Sequence, residues 1–240
     1  MLSIQIADIA MIILSNKSPL TSGGRHEIFV DPRDPARLIK VSREDFIARK
    51  SVKTAFWYGS ERRYGHLKDL LRSLREQLTV FVTCDSYVPW LEQVVGFTET
   101  DRGIGLVVVA ERWEGGLAPT LAQVIAAGEF DAQAKIDFDV FCRELVDSPI
   151  VVNDSNLRNI VYSGDASGRR RFVLIDGYGE TSFMPLKSWL PWLNRRAKLK
   201  MVASLRRRVA RRIERAKADQ PMAPIVASPA QVKHDRTAAL

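Results

Sequence analysis

The stretch from 151 to 179 carries three side chains whose oxygen atoms could act together on a phosphorylated ligand. It reads VVNDSNLRNIVYSGDASGRRRFVLIDGYG, and the three residues are Asp154, Asn159 and Asp176. Carboxylate and amide oxygens are the hard ligands that Mg²⁺ prefers, and a nearby carboxylate can accept a proton from an attacking hydroxyl group. The residue types therefore predict a site that holds Mg²⁺ against the phosphates of a nucleotide.

A β-hairpin would bring these three side chains together. Two short β-type runs, 160–162 and 172–175, flank a segment rich in Gly, Ser, Asp and Arg, a composition that predicts a turn. Pairing of Val161 with Leu174 would place the asparagine directly opposite the second aspartate. The alternative is a plain surface hairpin with polar ends, since Asp and Asn also favour turns.

The length of 240 residues suits one domain or two small lobes around a shared cleft, and a hydrophobic content of 46% is sufficient for a core. No apolar run approaches the roughly 18 residues of a membrane-spanning helix. The apolar N-terminus lacks a basic region and carries Asp8, so we expect no signal peptide and a cytoplasmic protein. Cys84 and Cys142 show no metal-binding spacing and are expected to be reduced, buried thiols.

The net charge of +8 is concentrated in one segment. Residues 195–217 hold eleven Lys or Arg against the single acid Glu214, a net charge of +10, so the rest of the chain is near −2. A general nucleic-acid-binding surface is therefore not implied. The apolar residues of this segment recur at helical spacing. This pattern fits either a helix that packs on the protein or an amphipathic helix that contacts nucleic acid or an anionic membrane, and we expect packing.

Residues 12–41 read as three strands: 12–14, then 26–30 and 37–41. Gly23 and Gly24 form a loop before the second strand, where backbone N–H groups could approach phosphate oxygens. Lys40, between two apolar residues of the third strand, could neutralise those oxygens. The alternatives without a function are that the two glycines form an ordinary turn and that Lys40 lies on the solvent-facing side of its strand.

Residues 42–78 show helical periodicity with one apolar face, formed by Tyr64, Leu67, Leu71, Leu74 and Leu78. At about 100° per residue, Glu61 falls at the edge of that face and Glu76 on the opposite side. Glu61 is therefore the acid predicted to reach Lys40, unless it is simply solvated.

A second hairpin is predicted over 88–113, followed by a linker at Glu111–Gly116. An adenine ring would lie against backbone groups between Glu111 and Trp113. Helices are expected at 120–127 and 131–146, and a basic helix at 195–217. The Pro-, Ala- and Ser-rich remainder, 218–240, is expected to be disordered.

Five segments together resemble the YrbL family of PhoP regulatory network proteins, a compact branch of the protein-kinase-like fold. The segments are MIILSNKSPLTSGGRHEIFVDPRDPARLIKV at 11–41, ERRYGHL at 61–67, GFTETDRGIGLV at 96–107, NDSNLRNIVY at 153–162 and LIDGYGETSFMPLKSW at 174–189. The resemblance leaves open whether translation starts at Met1 or Met11. It implies an α+β, two-lobed kinase-like fold. The N-terminal lobe, 11–113, would contain an antiparallel sheet and a long helix. The mostly helical C-terminal lobe, 114–217, would contain the hairpin.

The same resemblance implies a role for each candidate residue, with ATP and Mg²⁺ as cofactors. Gly23 and Gly24 would cover the phosphates, and Lys40 would bind them while paired with Glu61. Asp154 would be the general base, and Asn159 and Asp176 the metal ligands.

Several departures from kinase patterns keep a second function open. Val152 and Asn153 stand where kinases keep His and Arg, and the segment after Gly179 is short for a peptide-docking loop. Between Glu180 and Glu214 there is no acid that could brace the catalytic loop. One hypothesis is a kinase acting on an unknown, non-protein hydroxyl substrate. The alternative is a weak or inactive pseudokinase that serves as a nucleotide-binding regulatory or interaction module in bacterial stress or envelope signalling.

Overall fold

The computed structural model describes residues 11–22, 25–51, 65–165, 167–180 and 186–218, which form a mixed α+β structure. An antiparallel sheet has the strand order β1-β2-β3-β5-β4. Its strands are β1 (Thr21–Ser22), β2 (His26–Val30), β3 (Arg37–Ser42), β4 (Val94–Thr100) and β5 (Gly103–Val109). The predicted strands at 26–30 and 37–41 and the hairpin at 88–113 are therefore confirmed.

The predicted strand at 12–14 is wrong. Ile12 makes a single parallel bridge to Thr100, and the Leu14 amide donates to a carboxylate oxygen of Asp101 at 2.7 Å. The side chains of Ile12 and Leu14 are buried against one face of the sheet. This packing, and not a ladder of backbone hydrogen bonds between strands, holds the segment in place.

The two faces of β3 bury different side chains because successive residues of a strand point to opposite sides. Ile39 and Val41 pack with Phe29 on one face. Leu38 packs on the other face with Leu70 of a helix. Lys40 shares the face of Leu38 and therefore points towards that helix side of the sheet, not outwards.

Helix α1 spans Glu44–Ser51 and α2 spans Lys68–Cys84. The prediction for α2 is wrong at two positions: Leu78 is 54% exposed, whereas Glu76 is 8% exposed. The buried face of α2 contains Leu70 and Val80, which contact two different apolar clusters. The helix thereby connects the sheet to the helical part of the protein.

The predicted linker at 111–116 is itself a short hairpin. Strand β6 (Arg112–Trp113) pairs with β7 (Gly116–Leu117), and the two turn residues, Glu114 and Gly115, have φ angles of 50° and 78°. This left-handed backbone is characteristic of tight hairpin turns.

Helices α3 (Leu121–Ala126) and α4 (Ala132–Asp147) begin one residue after their capping side chains, Thr120 and Asp131, close to the predicted starts. Ile136 and Val140 of α4 are exposed. The largest apolar cluster, which we call the central cluster, includes Leu121 of α3 and Phe138, Phe141 and Leu145 of α4.

Strands β8 (Ile160–Gly164) and β9 (Arg170–Leu174) form the predicted hairpin on this cluster. Helix α5 spans Leu186–Trp189, and α6 spans Pro191–Ala218. Val202, Leu205 and Val209 of α6 are buried in the same cluster, so the expectation that the basic helix packs on the protein is confirmed.

Cys142 is buried as expected, whereas Cys84 is exposed, which corrects the prediction for that thiol. Over the residues that the structure describes, no helix is both long and apolar enough to span a membrane.

Candidate functional site

Lys40 of β3 reaches from the sheet to the segment that follows β9. Its ammonium nitrogen lies 2.6 Å from Oε1 and 2.7 Å from Oε2 of Glu92, and it donates to the carbonyl oxygen of Ile175 at 2.8 Å. The residue is 8% exposed. Because Ile175 directly precedes Asp176, the ammonium group lies at the turn that carries a predicted metal ligand.

Glu92 is the main residue that the sequence analysis missed. Its amide donates to the carbonyl oxygen of Leu174 at 2.9 Å, which places the side chain beside the end of β9. Its carboxylate also accepts a hydrogen bond from the hydroxyl group of Tyr178 at 3.3 Å. A lone acid within the apolar run WLEQVV was the available signal, since an acid in such a run is buried only when it is paired.

Burial raises the pKa of Glu92 to about 7. Lys40 opposes this change by stabilising the carboxylate, whereas the negative charge of Asp176 adds to it. Because both charges affect Glu92, the carboxylates of Glu92 and Asp176 and the ammonium group of Lys40 interact electrostatically.

The β8–β9 hairpin is displaced by one residue from its predicted register. Ile160 lies opposite Leu174, and the amide of Ile175 donates to the carbonyl oxygen of Asn159, so Asn159 is not opposite Asp176. The rings of Tyr162 and Phe172 stack with centroids 4.3 Å apart in this register. Ile160 and Tyr162 pack in one apolar cluster and Val161 in another, so a one-residue slip would mismatch the side chains of both clusters. Packing on both faces therefore determines the register.

Asp154, Asn159 and Asp176 nevertheless lie together. The Asn159 amide nitrogen donates to Oδ2 of Asp154 at 3.3 Å, and the Asp154 backbone amide donates to the carbonyl oxygen of Gly177 at 2.9 Å. The Gly177 amide in turn donates to Oδ1 of Asp176 at 2.7 Å. Both aspartates are exposed, so their carboxylate groups are accessible to a ligand.

Gly177 allows this close approach. Its φ angle is 85°, and a Cβ atom at this position would lie 2.2 Å from the carbonyl oxygen of Asp154 and 3.1 Å from the amide nitrogen of Asn159. Only a residue without a Cβ fits between the two loops.

Helix α2 supports the loop before Asp154 through Glu76, which the sequence placed on the wrong side of the helix. Oε2 of Glu76 accepts a hydrogen bond from the backbone amide of Val151 at 2.9 Å. Burial raises the pKa of this carboxyl group, and the Val151 hydrogen bond opposes that change.

Helix α6 supports the same loop without an acid. The side-chain amide of Asn194 donates to the carbonyl oxygens of Pro149 at 3.1 Å and Ile150 at 2.9 Å. The ammonium group of Lys198, a residue that is 1% exposed, donates to the carbonyl oxygen of Ser148. An amide and a cation of α6 thus bind carbonyl oxygens of this loop, whereas Glu76 of α2 binds one of its amides.

Arg208 supports the loop further along α6. Its guanidinium group donates to the carbonyl oxygen of Ser155 at 2.9 Å and to its hydroxyl oxygen at 2.7 Å. Ser155 directly follows Asp154, so both sides of the proposed base are held by α6.

The predicted adenine contacts at 111–113 are already engaged by other groups. The carbonyl oxygen of Glu111 accepts from the Ala118 amide at 2.9 Å, and the Glu111 carboxylate lies 3.6 Å from the guanidinium group of Arg171. The ring of Trp113 packs against Gly164 and beneath Arg170, 4.3 Å from its guanidinium carbon. Both side chains therefore contact the β8–β9 hairpin.

Three predicted site residues, Gly23, Gly24 and Glu61, lie outside the described residues. His26, just after the glycine pair, has a buried Nε2 atom without a hydrogen-bond partner among the residues that the structure describes. Burial lowers the pKa of His26, and the charge of Asp176 opposes this change. His26 is thus a second residue near the site that the sequence analysis did not select.

The oxygen-rich loops fit Mg²⁺ in their chemistry, because two carboxylates and an amide oxygen are suitable hard ligands. The described residues contain no cluster of three or more His, Cys, Asp or Glu side chains arranged to hold a metal by themselves. A metal here would therefore depend on the amide of Asn159 and on oxygens of its ligand, as is usual for Mg²⁺ bound to a nucleotide.

Comparison with known proteins agrees with the sequence resemblance. The comparison with curated proteins gives no significant match. A family model described as PhoP regulatory network protein YrbL matches residues 12–210, which include Lys40, Glu92, both loops of the site and most of α6. Since this match covers most of the chain, the protein belongs to the YrbL family of PhoP regulatory network proteins.

Proposed function

We propose that this protein is a Mg²⁺- and ATP-dependent phosphotransferase that acts on a hydroxyl group of a non-protein substrate. The observation that carries the proposal is the contact of the Lys40 ammonium group with the carbonyl oxygen of Ile175, at the turn that presents Asp176. A cation, two accessible carboxylates and an amide oxygen converge there, and phosphoryl transfer requires mainly such positioning and charge neutralisation.

Asp176 and Asn159 would hold the metal ion, and bound Mg²⁺ would neutralise charge on the phosphate oxygens. Lys40 would supply a second positive charge to the same phosphates. Asp154 would accept the proton of the substrate hydroxyl group as that oxygen forms a bond to the γ-phosphorus. The bond from the γ-phosphorus to the bridging oxygen breaks at the same time, and ADP leaves with that electron pair.

Glu92 would position Lys40 in this reaction. Both carboxylate oxygens lie within 2.7 Å of the ammonium nitrogen, which holds the flexible lysine side chain beside the Asp176 turn. The proposal does not require Glu61 for this purpose.

A small substrate is favoured by the length of the chain after the metal-binding turn. Eleven residues separate Gly179 from the start of α6 at Pro191. A protein substrate generally requires a longer docking segment.

A nucleotide-independent regulatory module is the second candidate function, and one observation favours it. The ammonium group of Lys40 has three N–H donors, and its contacts with the two Glu92 oxygens and Ile175 can occupy all of them. A phosphate would have to displace one of these contacts. Membership in a family of regulatory network proteins is compatible with this function.

Thermal unfolding with ATP, Mg²⁺ or both separates the two candidates, because a ligand that binds the native state raises the melting temperature. At a concentration of about one hundred times Kd, the expected stabilisation is about 2.7 kcal/mol. We expect a shift that requires ATP and Mg²⁺ together and that Asp176→Asn removes.

Asp85→Asn is the matched control, since Asp85 is an exposed aspartate at the end of α2. It should leave the shift unchanged. The absence of any shift in the wild-type protein would reject the phosphotransferase and favour the nucleotide-independent module.

A further inference from the structure

Two tryptophan side chains project from the junction of α5 and α6. Trp189 is 67% exposed and Trp192 is 62% exposed. Leu190 beside them and Leu199, two helical turns beyond Trp192, are 38% and 52% exposed. Large apolar side chains grouped at one place on a surface commonly mark an interaction site.

Basic side chains continue from this apolar group along α6. We define the outer face of α6 as the side opposite the buried residues Val202, Leu205 and Val209. It contains Trp192, Arg196, Leu199, Lys200, Arg207 and Arg211. At 1.5 Å per residue, the basic positions extend along about 22 Å of the helix.

Two acids near α6 neutralise its flanks, and the one acid of the helix itself, Glu214, lies on the outer face beyond Arg211 and pairs with Lys217 at 3.5 Å. Arg195 pairs with Asp147 at 2.9 Å, and Arg206 pairs with Asp139 at 2.8 Å. Within the described ranges, no carboxylate pairs with any basic residue of the outer face. The outer face therefore presents a positive strip with an apolar end.

We propose that the outer face of α6, together with Trp189 and Leu190, binds the surface of an anionic lipid bilayer. The basic residues would contact lipid phosphates, and the indole rings and leucines would enter the boundary between headgroups and acyl chains. Charge alone would fit a nucleic acid equally well. The aliphatic side chains distinguish the two, because Leu190 and Leu199 gain by leaving water and offer no stacking surface to a base.

This surface shares no residue with the proposed phosphotransfer site, since Lys40, Asp154 and Asp176 lie on other elements. Lipid binding is therefore measured independently of nucleotide binding. Either activity could fail without affecting the test of the other.

The experiment is cosedimentation of the full-length protein with phosphatidylcholine vesicles that contain or lack phosphatidylserine. We expect partitioning only into the anionic vesicles, a decrease at high salt, and a blue shift of tryptophan fluorescence as the indoles leave water. Each basic residue near an anionic leaflet should contribute roughly a fivefold increase in partitioning.

Arg196→Gln/Arg207→Gln should therefore reduce partitioning roughly 25-fold. Lys17→Gln/Arg169→Gln removes two exposed basic side chains from other parts of the surface and should have a much smaller effect. Trp189→Ser/Trp192→Ser should weaken binding and abolish the blue shift. All these side chains are exposed, so unchanged melting temperatures would show that the variants fold.

Three results would overturn the proposal. They are equal loss of binding in the two double-charge variants, a fluorescence shift that persists in the tryptophan variant, and binding to RNA or duplex DNA but not to anionic vesicles. The last result would assign the outer face to nucleic acid.

Discussion

The carboxyl group of Glu92 is buried between a cation, a tyrosine hydroxyl group and an aspartate. Its pKa of about 7 exceeds that of an exposed glutamate, because burial disfavours the charged form more than Lys40 favours it. The folded protein therefore retains a proton on Glu92 at a pH where the unfolded chain has lost it. This contribution to stability is complete at low pH and disappears as the pH rises to about 7 and above.

Glu92→Gln should remove this pH dependence, because glutamine keeps the hydrogen-bonding oxygen and does not titrate. Between pH 5 and 8, the wild-type free energy of unfolding should decrease relative to the variant by on the order of 3 kcal/mol. Urea unfolding at several pH values measures this difference. Parallel curves for the two proteins would show that Glu92 does not titrate in this range.

Asp154 is predicted to act in turnover and not in nucleotide binding. Asp154→Asn keeps one acceptor oxygen, which can retain the hydrogen bond from the Asn156 amide at Oδ1. Its NH2 group can accept neither the Asn159 hydrogen bond made at Oδ2 nor the substrate proton. We expect ATP hydrolysis, with water in place of the substrate, to decrease roughly 100- to 10,000-fold. The ATP–Mg²⁺ thermal shift should remain, and turnover that survives the change would exclude Asp154 as the base.

At the scale of elements, the two loops of the site depend on their backbone contact at Gly177. Gly177→Ala would impose a left-handed alanine and a Cβ atom 2.2 Å from a carbonyl oxygen, and should cost roughly 3 kcal/mol or more. Gly168→Ala is the matched control, since its φ of 80° is similar but no atom lies within 4 Å. It should cost about 1 kcal/mol. The free energies of unfolding are measured with denaturant. Equal losses of stability in the two variants would mean that the contact between the loops at Gly177 does not contribute to stability.

Helix α6 supports the loop before Asp154 partly through a buried amine. Burial lowers the pKa of Lys198 to about 8, so between about pH 8 and 10.5 the unfolded state binds more protons than the folded state. Stability should therefore rise with pH in that window. Lys198→Met should reduce this rise by on the order of 2 kcal/mol, as measured by thermal or urea unfolding. If stability increases with pH as much in the variant as in the wild-type protein, the increase is due to a group other than Lys198.

At the scale of the whole molecule, α2 joins the sheet to the helical cluster. Leu70 packs with the sheet and Val80 with the central cluster, so changes in one region should destabilise the other. Val80→Ala should cost about 2 kcal/mol and leave a single unfolding transition. Val82→Ala, at a position that is 83% exposed, is the control and should change stability by less than about 0.5 kcal/mol. Separate far- and near-ultraviolet transitions for Val80→Ala would contradict this coupling.

Local sequence patterns were sufficient for most elements. The β8–β9 hairpin, the capped starts of α3 and α4 and the basic helix α6 follow from turn residues, capping side chains and apolar spacing. The position of Lys40 within an apolar strand also identified it as a residue of interest. These signals act over a few residues, so one sequence contains them in full.

The failures occurred where distant parts of the chain meet. Periodicity placed Glu76 in solvent, because nothing near it in sequence indicates that its carboxylate accepts a hydrogen bond from Val151. The one-residue register error arose because the stacking of Tyr162 on Phe172 depends on packing against the cluster. Glu92 was missed for the same reason, since 52 residues separate it from Lys40.

By itself, the sequence determined which residue types are available, where the charge lies, and which segments form most of the strands and helices. Only the tertiary structure decided which acid pairs with Lys40, which helix supports the Asp154 loop, and which side of α6 is exposed. Secondary structure depends on nearby residues, whereas a buried ion pair depends on groups that meet only when the whole core has formed.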